Sequence, residues 1–592
     1  MLAYRHSILT SRISAPHPTP SRCILQRTVR SLNITLSVLL IACLLRAASP
    51  QPVVARHGMV SSASGLASEA GVEILQAGGN AADAAVATAF ALAVTYPTAG
   101  NIGGGGFMVI RLADGTAIAV DYREAAPAAA TPGMFLDKKG EVIPGASTTG
   151  HRAAGVPGTV AGMALVHTKF GKLSWRAVLA PAIRLAEKGF PVSRDLARSL
   201  RQQEKKFKAS PESVRLFLND GKFYQEGDLL RQQDLSETLR RLVSQGPRDF
   251  YEGRTAHLLA HEMRANGGLI TVEDLKAYKA QLREPLRGAY RGYELLSMSP
   301  VSSGGFLLLQ MVQSLERHDL SSLGHNSSAK CHLLIETMKR SYADRASYFG
   351  DPAFVKIPLA ALLSPAYIEA RSRSIDPARA TPSSEIREGT PPAESQETTH
   401  FSVVDAQGNA VANTYTLRDG YGGGITVPGA GFLLNNVMDE FAPKAGAPNA
   451  FGFPAGQANT IAPGKRPVSS QTPTIALKNG KVAFLLGSPG GTTIPNTVLQ
   501  VVLNLIDHGM NIQEAIDAPR IHHQWLPDVV RYERYGLAMD VIRALEAKGH
   551  KLIPASETRS IGMVHGIAID PETGERLGAS DARSPDGRAV GY

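Results

Sequence analysis

The stretch Thr398-Thr-His-Phe-Ser-Val-Val-Asp405 is the part of the sequence from which the fold can be worked out. Its apolar-rich run leads into Asp405-Ala-Gln-Gly-Asn409, which has the composition of a turn. Residues 410–417 (AVANTYTL) then continue with β-branched and aromatic side chains. Two such runs separated by a short polar loop predict a β-hairpin.

The pairing within this hairpin follows from its loop. If the five residues between the runs close symmetrically, Val404 pairs with Ala410, and counting outward places Thr398 opposite Thr416. Directly opposed residues point to the same face of a sheet, and a slip of one residue would undo the pairing. The simpler interpretation is that Thr398 and Thr399 only begin a half-buried strand. A catalytic role for Thr398 therefore needs support from other parts of the chain.

Residues 376–396 (DPARATPSSEIREGTPPAESQ), which we call the strap, precede the hairpin and differ from it in composition. They are rich in Pro, Ser and charged residues and contain few apolar side chains. Such a segment is too polar to pack against a core. The sequence therefore predicts that the strap is mobile and that order begins at Thr398.

The composition is that of an ordinary globular protein, with 592 residues, 43% of them hydrophobic and 19% charged. The formal net charge is +10, but residues 1–50 contain six arginines and no acidic residue, which leaves +4 for the remainder. This charge does not indicate a nucleic-acid-binding protein. The apolar run at residues 32–45 is too short to span a bilayer and follows an Arg-rich leader, so we expect a secretory signal within residues 1–50 and an exported, periplasmic or secreted protein.

Cysteine is sparse outside this leader. Leu40-Ile-Ala-Cys43 resembles a bacterial lipoprotein signal, which would acylate Cys43 and tether the protein to a membrane; the alternative is an ordinary signal peptide. Cys331 is then the single cysteine of the mature chain, so no internal disulfide is expected. It lies in an apolar, helical stretch at residues 329–342, which favours a buried structural thiol over a nucleophile.

The remaining sequence alternates between helical and strand-like patterns. Helices are predicted at 64–76, 81–95, 306–316 and 496–507, within a mostly helical region at 155–345. Strands are predicted at 107–112, 116–121, 425–427, 432–434, 472–477 and 482–486. The glycines at 103–106 precede a strand and lack a following Lys-Ser/Thr, so they indicate a tight turn with close backbone packing, not a phosphate loop. Together these elements predict layers of helix packed on sheet.

Three further motifs carry groups that could do chemistry. Ser488-Pro-Gly-Gly491 joins a strand to a helix, where glycine N–H groups can form an oxyanion hole, although an ordinary turn has the same pattern. The guanidinium of Arg123 suits a carboxylate, or an ion pair with Glu124. Residues 465–470 (KRPVSS) contain two hydroxyl side chains, Ser469 and Ser470, after two basic residues. Taken alone, this composition predicts a solvated loop.

His522 and His523 are the one candidate pair of metal ligands that the sequence suggests. Adjacent histidines point apart on a regular element, and no third ligand stands at metal spacing. Neither a metal nor a cofactor is predicted.

In combination these motifs resemble those of the γ-glutamyltranspeptidases. The resemblance runs from about Arg56 to Tyr592 and is carried by motifs spread along the chain. They are residues 78–84 (GGNAADA), 101–107 (NIGGGGF), 121–124 (DYRE), 155–159 (GVPGT), 302–305 (SSGG), 342–345 (YADR), 398–405 (TTHFSVVD), 465–470 (KRPVSS) and 487–491 (GSPGG). The family implies an N-terminal-nucleophile hydrolase with an αββα sandwich, made as an inactive precursor.

The resemblance also implies roles for individual residues. Self-cleavage of the Glu397–Thr398 bond would give a large subunit, residues 51–397, and a small subunit, residues 398–592, which together form a heterodimer. Thr398 would be the nucleophile, and its freed α-amine, with an ordinary pKa of about 7.7–8.0, could accept the hydroxyl proton. Thr416 would support it. Gly490 and Gly491 match the oxyanion glycines, and Arg123, Ser469 and Ser470 match the residues that hold the α-carboxylate of the substrate.

The pocket that receives the α-ammonium of the substrate departs from the family pattern. Arg418 stands where many members have Asn, Val437 where they have Gln or Glu, and Glu440 where they have Asp. Phe451 replaces the tyrosine that usually closes a lid by bonding to that Asn. An arginine beside a substrate ammonium is repulsive, so either Arg418 turns away, pairing with Glu440 or stacking on Phe451, or the preferred acyl group lacks the ammonium.

Three functions remain open from the sequence. The first is an exported γ-glutamyl hydrolase/transferase that acts on glutathione-like amides, with water, amino acids or peptides as acceptors. The second is a related hydrolase for glutaryl-type amides, as in the cephalosporin acylases. The third, of a different class, is a processed but inactive binding scaffold.

Overall fold

Two seven-stranded antiparallel sheets form the middle of the structure. The computed structural model describes residues 50–386, 398–442, 444, 457–556 and 560–592. In chain order the strands are β1 (Val53–Ala55), β2 (Met59–Ser62), β3 (Gly105–Arg111), β4 (Ala117–Asp121), β5 (Phe190–Pro191), β6 (Leu229–Leu230), β7 (Gln281–Arg283), β8 (Leu286–Tyr290), β9 (Tyr293–Ser297), β10 (Thr399–Val404), β11 (Ala410–Thr416), β12 (Thr474–Lys478), β13 (Lys481–Gly487), β14 (Ile521–His522), β15 (Val530–Tyr532), β16 (Leu552–Pro554), β17 (His565–Ile569), β18 (Arg576–Ser580) and β19 (Arg588–Gly591).

Helices cover the outer faces of both sheets. They are α1 (Gly65–Gln76), α2 (Ala81–Thr95), α3 (Thr159–Phe170), α4 (Trp175–Lys188), α5 (Arg194–Gln202), α6 (Glu204–Phe207), α7 (Pro211–Phe217), α8 (Gln233–Gln245), α9 (Arg248–Glu252), α10 (Arg254–Ala265), α11 (Val272–Ala277), α12 (Gly304–Leu315), α13 (Leu320–Leu323), α14 (Ser328–Tyr348), α15 (Leu359–Leu362), α16 (Pro365–Arg373), α17 (Ile494–Ile506), α18 (Ile512–Asp517) and α19 (Met539–Ala547). Among the described helices, none is long and apolar enough to cross a membrane.

The predicted hairpin lies at the centre of one sheet. This sheet, here called the hairpin sheet, has the order β19-β2-β10-β11-β3-β4-β7, and the second sheet has the order β1-β18-β17-β13-β12-β9-β8. In both sheets, strands that follow Thr398 in the chain are hydrogen-bonded to strands that precede it, for example β10 to β2 and β12 to β9. The segments on the two sides of the predicted cleavage point are therefore interleaved.

Side-chain alternation along the strands separates the core into layers. On β10, Val404 packs between the two sheets with Ile475 and Leu485, whereas Val403 packs against the helices that cover the hairpin sheet. Because neighbouring strand residues face opposite sides, each sheet is apolar on both faces. The result is helix, sheet, sheet, helix, which confirms the predicted αββα sandwich.

The helix layer over the hairpin sheet is built around α2. Every residue of this helix is buried, as its apolar composition predicted. Asn80 and Asp83 form a capping box at its start. Asp405, in the hairpin turn, also accepts a hydrogen bond from the Ala81 N–H at 3.0 Å, so the turn of the hairpin is tied directly to the start of α2.

The layer over the second sheet contains α12, α14 and α17. Cys331 lies on α14 and is fully buried among apolar side chains. Burial raises the pKa of its thiol to about 12, so the thiol stays protonated near neutral pH. This agrees with a structural role.

Residues 155–345 are mostly helical, as predicted, but they also contain the short strands β7, β8 and β9, which complete both sheets. Other predictions about elements were wrong. Residues 425–427 and 432–434 form only one isolated bridge, between Thr426 and Leu433. The strap is held by main-chain hydrogen bonds over residues 376–386, for example from Ala380 N–H to the Lys548 carbonyl at 2.7 Å, so a polar composition did not prevent docking there. Its remainder, with Glu397, and the leader with Cys43 lie outside the described residues.

Candidate active site

Thr398 and Thr416 lie at the same end of the hairpin. Strands β10 and β11 pair from Val404 and Ala410 to Thr399 and Tyr415 in one unbroken register, and the next step brings Thr398 opposite Thr416. The predicted register is therefore confirmed. Both threonines are buried, at 4% and 2% exposure.

The inner face of the hairpin is polar next to this pair. On the next rung His400 Nδ1 lies 2.8 Å from Thr414 Oγ1, and His400 Nε2 lies 3.1 Å from Ser402 Oγ. Burial lowers the pKa of His400 well below its ordinary value, so this imidazole is neutral. It fixes the two strands to each other directly behind the threonine pair.

The glycines at 103–106 bring a second piece of backbone against the site. A Cβ atom at Gly104 would lie 2.0 Å from the carbonyl oxygen of Thr416, which no side chain tolerates. The Gly104 N–H donates to Asn101 Oδ1 at 2.9 Å, which holds the turn in place. The predicted tight turn with close backbone packing is confirmed. Because Gly104 has no side chain, the backbone of this turn can lie directly against the backbone of Thr416.

The end of β13 approaches the site from the second sheet. Gly487 lies against the ring of His400, where a Cβ atom would be 2.4 Å from Nδ1. Beyond it Gly490 and Gly491 both have positive φ, 132° and 58°, and the Gly490 N–H has no hydrogen-bond acceptor within the described ranges. Such a turn at the start of α17 leaves donors available for a developing oxyanion.

Arg123 follows β4 and is almost fully buried. Its Nη1 lies 3.2 Å from Glu124 Oε2, which confirms the predicted ion pair, and its Nη2 lies 3.5 Å from Glu440 Oε2. Nη2 donates no hydrogen bond to any described residue. Burial raises the pKa of Glu124, and the neighbouring Arg123 opposes that shift. A buried guanidinium edge in this state suits a carboxylate ligand.

Ser469 and Ser470 follow Pro467, whose carbonyl accepts a hydrogen bond from Arg123 Nε at 3.4 Å. Ser302 and Ser303 fix this stretch, because the Ser303 hydroxyl donates to the Ser469 carbonyl at 2.8 Å and the Ser302 hydroxyl donates to the Gln471 carbonyl at 2.6 Å. Ser470 Oγ is buried and makes no hydrogen bond with the described part of the chain.

The interpretation of residues 465–470 as a solvated loop was wrong. Arg466 is buried and pairs with Asp121 at 2.6 Å, and Lys465 is buried and donates to main-chain oxygens of Ala458 and Thr460. The basic residues therefore anchor the loop that carries the two serines.

Arg418 turns toward acidic residues that the sequence did not single out. Its Nη1 lies 2.7 Å from Asp419 Oδ1 and its Nη2 is in close contact with Asp439 Oδ2, while its Nε lies 3.9 Å from Glu440 Oε1. Glu440, one of the two predicted partners, therefore lies farther from the Arg418 guanidinium than Asp419 and Asp439 do. Phe451, the other predicted partner, lies outside the described residues. Asp419 follows Arg418 in the chain and Asp439 precedes Glu440, and these neighbouring positions were the available sequence signal for the two partners.

The backbone of Arg418 contacts the hairpin formed by β10 and β11. Its N–H donates to Thr416 Oγ1 at 2.8 Å, and its φ of 82° is unusual for a residue with a side chain. The acid that Arg418 contacts most closely, Asp439, is also in close contact with the hydroxyl of Ser147. Arg418 thereby connects Thr416 to the acidic side of the pocket.

Val437 gives this side of the pocket an apolar wall. The residue is fully buried, and its methyl groups pack against Gly155, where a Cβ atom would be only 2.5 Å from Val437 Cγ1. The side chain can neither accept nor donate a hydrogen bond, so it cannot replace the amide or carboxylate that the family pattern has here.

Four of the predicted site residues form one connected group. Arg123 contacts Glu440, Glu440 faces Arg418, and Arg418 contacts Thr416. His522 and His523 are not part of it: His522 is hydrogen-bonded to Asn496 and Gln524. Within the described ranges no group of three or more His, Cys, Asp or Glu side chains is placed to hold a metal.

Comparisons with known proteins agree with this geometry. The γ-glutamyltranspeptidase family model matches residues 67–591. The glutathione hydrolase proenzyme of Escherichia coli (strain K12) is 48% identical over 543 residues, which cover 91% of this chain and 93% of that protein. The acylase ACY 1 proenzyme of Pseudomonas sp. (strain SE83) is 39% identical over 546 residues, covering 91% and 94%.

A solved structure gives the same result for the fold. The cephalosporin acylase from Bacillus halodurans superimposes with a TM-score of 0.82 at 29% identity, covering 93% of this chain and 98% of that one. On the family model, the identities and this superposition, the chain belongs to the γ-glutamyltranspeptidase family.

Proposed function

We propose that the protein is a self-processing γ-glutamyl hydrolase/transferase that acts on glutathione-like amides. The observation that carries the proposal is the hairpin register, which brings Thr398 and Thr416 together on one buried face. The turn at Gly490, the unbonded Nη2 of Arg123 and the unbonded hydroxyl of Ser470 supply the other groups that an acyl transfer needs.

Self-cleavage is the first step of the proposed mechanism. The Thr398 hydroxyl attacks the carbonyl carbon of Glu397, the peptide C–N bond breaks, and the acyl group passes to the threonine oxygen as an ester. Water then hydrolyses the ester. This leaves a free carboxylate on Glu397 and a free α-amine on Thr398. The products are a large fragment, residues 51–397, and a small fragment, residues 398–592, which stay together as a heterodimer.

Turnover then uses the same hydroxyl. The α-amine of Thr398 accepts the hydroxyl proton as the oxygen attacks the γ-carbonyl of the donor, and the N–H groups of Gly490 and Gly491 stabilise the oxyanion. The leaving amine takes up the proton, and the γ-acyl group is held as an ester on Thr398. Water gives hydrolysis, and the amine of an amino acid or peptide gives transfer. Arg123, Ser469 and Ser470 hold the α-carboxylate throughout.

Export is part of the proposal. The Arg-rich leader with its short apolar run supports a secretory signal, so we place the enzyme in the periplasm or outside the cell. Acylation of Cys43 would add a membrane tether. Metabolic labelling with a fatty acid, compared between wild type and Cys43→Ser, tests that tether.

A second candidate is a glutaryl-type amide hydrolase. Arg418 and Val437 support it, because a cation and an apolar wall stand where the family binds an ammonium. The acylase relative matches about the same length of this chain as the glutathione hydrolase relative does, at 39% identity instead of 48%. Hydrolysis rates with γ-glutamyl and glutaryl anilides separate the two: a strong γ-glutamyl preference excludes the second candidate.

The central experiment is the mass of the purified protein under denaturing conditions. Wild type should give two fragments that meet between Glu397 and Thr398, and Thr398→Ala should stay whole. A donor substrate should add an acyl group to the small fragment. A wild-type chain that remains whole contradicts the proposal, and a cleaved chain that never becomes acylated identifies the inactive binding scaffold instead.

A further inference from the structure

Residues 342–345 (YADR) on α14 form a motif that the proposed mechanism does not use. Tyr342 and Arg345 are both 0% exposed. They are three positions apart, so their side chains lie on the same side of the helix. Each of them is hydrogen-bonded toward a different loop of the candidate site.

Tyr342 holds the turn that follows Gly490. Its hydroxyl donates to the carbonyl oxygen of Thr492, with which it is in close contact. That carbonyl belongs to the peptide unit between Thr492 and Thr493, and the N–H of the same unit donates to the Gly490 carbonyl at 3.1 Å. The Gly490 carbonyl in turn belongs to the peptide unit that carries the Gly491 N–H. Because a peptide unit is planar, the Tyr342 hydroxyl restrains the direction of an oxyanion donor through two hydrogen bonds.

Gly490 and Gly491 need such a restraint. Both have positive φ, and glycine has the widest backbone freedom of all residues. The residue after them is fixed at two points, because Thr492 Oγ1 donates to Gln524 Oε1 at 2.7 Å while its carbonyl is held by Tyr342. The direction of the glycine N–H groups therefore depends on how firmly Thr492 is held.

Arg345 holds the loop of the two serines through Ser303. Arg345 Nε donates to Ser303 Oγ at 2.7 Å, and the Ser303 hydroxyl donates onward to the Ser469 carbonyl at 2.8 Å. The Ser303 N–H donates to the same carbonyl at 2.7 Å. This carbonyl belongs to the peptide unit that joins Ser469 to Ser470. A hydroxyl that accepts a hydrogen bond from a cation is a stronger donor, so Arg345 strengthens the contact that fixes both serines.

The serine hydroxyls keep their hydrogens for a ligand. Ser469 Oγ accepts from the Gln471 N–H at 3.2 Å, and Ser470 Oγ is unbonded among the described residues. A hydroxyl in either state can still donate its hydrogen to a carboxylate. The position from which it donates is set by the peptide unit that Arg345 helps to fix.

We propose that Tyr342 and Arg345 are positioning residues for the two halves of the site. Tyr342 acts through Thr492 on the oxyanion donors, and Arg345 acts through Ser303 on the hydroxyls that bind the α-carboxylate of the donor. The inference rests on the roles that the proposed function gives to the glycines and serines. One helix, α14, then sets the distance between the place where the donor is held and the place where its γ-carbonyl reacts. Catalysis depends strongly on such distances.

Tyr342→Phe removes only the hydroxyl. Acylation is measured as the burst of amine released from a γ-glutamyl anilide, per mole of cleaved enzyme, over a range of donor concentrations. The maximum rate should fall about tenfold and the half-saturating concentration should stay within about twofold, because the oxyanion forms only in the transition state. The same fall is expected with γ-aminobutyryl anilide, a donor that lacks the α-carboxylate.

Arg345→Lys keeps the positive charge but places a methylene group where Nε lies. The half-saturating concentration of the γ-glutamyl anilide should rise about tenfold and the maximum rate should change less than about threefold, because the α-carboxylate is held equally before and during the reaction. With γ-aminobutyryl anilide kcat/KM should equal that of wild type. A general loosening of the fold would lower kcat/KM for both donors.

Ser303→Ala tests the path from Arg345 to the serines. It removes the hydroxyl through which Arg345 acts, so it should raise the half-saturating concentration in the same way. Combined with Arg345→Lys it should add little, since the two substitutions break one chain of hydrogen bonds. Fully additive effects would contradict the path through Ser303.

Tyr367→Phe is the matched control. Tyr367 also donates a hydroxyl hydrogen bond to α14, to Asp344 Oδ1 at 2.8 Å, and Asp344 is further bound by Gln310 on α12 and Arg371 on α16. This variant should match wild type with both donors. If it shows the losses expected of Tyr342→Phe or Arg345→Lys, those losses reflect a loosened helix and the positioning roles are wrong.

The remaining outcomes separate this inference from the proposed function. Wild-type rates and half-saturation in Tyr342→Phe and Arg345→Lys would overturn the positioning roles. If Tyr342→Phe yields no cleaved enzyme, Thr492→Val, which removes the other hold on that threonine, decides the oxyanion side by the same fall in maximum rate or its absence. Ser303→Ala decides the serine side in the same way. A wild type that is never cleaved or acylated overturns the proposed function instead.

Discussion

Glu440 lies between two buried guanidinium groups, at 3.5 Å from that of Arg123 and 3.9 Å from that of Arg418. Arg418 itself is neutralised mainly by Asp419 and Asp439. The carboxylate of Glu440 is therefore the acidic group of the pocket that Arg418 contacts least closely. We therefore propose that Glu440 binds the α-ammonium of a donor that carries one.

Glu440→Gln tests this assignment. We expect kcat/KM for a γ-glutamyl anilide to fall about tenfold or more, since a hydrogen bond between charged groups contributes about 1.5–3 kcal/mol. A glutaryl anilide, which has no ammonium, should be hydrolysed as before. Glu440→Asp should retain most of the γ-glutamyl activity. Equal losses with both substrates would contradict a role in binding the ammonium.

Gly490 has a conformation that tolerates no side chain. Its φ is 132°, and a Cβ atom would lie 2.2 Å from Thr493 Oγ1. Gly490→Ala should move the N–H donors of the turn and lower kcat by about 10²–10³, the usual effect of losing one oxyanion donor. Gly133→Ala is the control, because Gly133 has open space around it and no positive φ. Activity within a few-fold of wild type in Gly490→Ala would exclude the oxyanion role.

The hairpin turn contributes more than a chain reversal. Asp405 is buried and accepts hydrogen bonds from the N–H groups of Ala81, Gln407 and Asn409 at 3.0, 3.0 and 2.9 Å. One carboxylate thus closes the turn between β10 and β11 and caps the α2 helix. The central hairpin and the central helix are fixed relative to each other at this residue.

Asp405→Ala should therefore destabilise the fold as a whole. We expect a loss of about 2 kcal/mol or more in the free energy of unfolding, because a helix cap is removed and buried N–H groups lose their acceptor. Denaturant unfolding of the Thr398→Ala precursor measures it on a single, uncleaved chain. Asp405→Asn, which keeps one acceptor oxygen, should lose less. A midpoint equal to that of the parent would show that the cap is dispensable.

The elements that could be predicted from sequence are those with local causes. The hairpin register followed from symmetric closure of a five-residue turn, and α2 followed from its apolar sequence. The docking of residues 376–386 could not be predicted, because its bonds involve main-chain groups that every sequence has. The partners of Arg418 required the spatial approach of Asp439, twenty-one residues away along the chain.

The whole molecule contains several imidazoles that are buried in the neutral state. Burial lowers the pKa of His565 to about 4 and lowers that of His400 well below its ordinary value. In the unfolded chain both would titrate near pH 6.5. Their stabilising effect is therefore complete above pH 6.5 and is lost as pH falls toward 4, because the unfolded chain binds protons that the folded one does not.

Stability should thus fall on mild acidification. Each such imidazole removes up to about 1.4 kcal/mol per pH unit in this window. The raised pKa of Glu124 acts in the opposite direction, so the comparison is made between the Thr398→Ala precursor and the same chain with His565→Asn. Between pH 7 and 5 the unfolding midpoint of the second protein should change less. Parallel pH dependences would show that His565 does not contribute.

The interleaving of strands in both sheets has a consequence for the life of the molecule. The precursor can form β10 beside β2 and β12 beside β9 as one chain, in a unimolecular reaction. Once the chain is cut, regaining the same sheets after denaturation requires two separate polypeptides to meet, and each alone leaves strand edges exposed. Refolding should then depend on protein concentration and compete with aggregation. Folding is efficient only before cleavage, so an enzyme molecule that unfolds after maturation is lost.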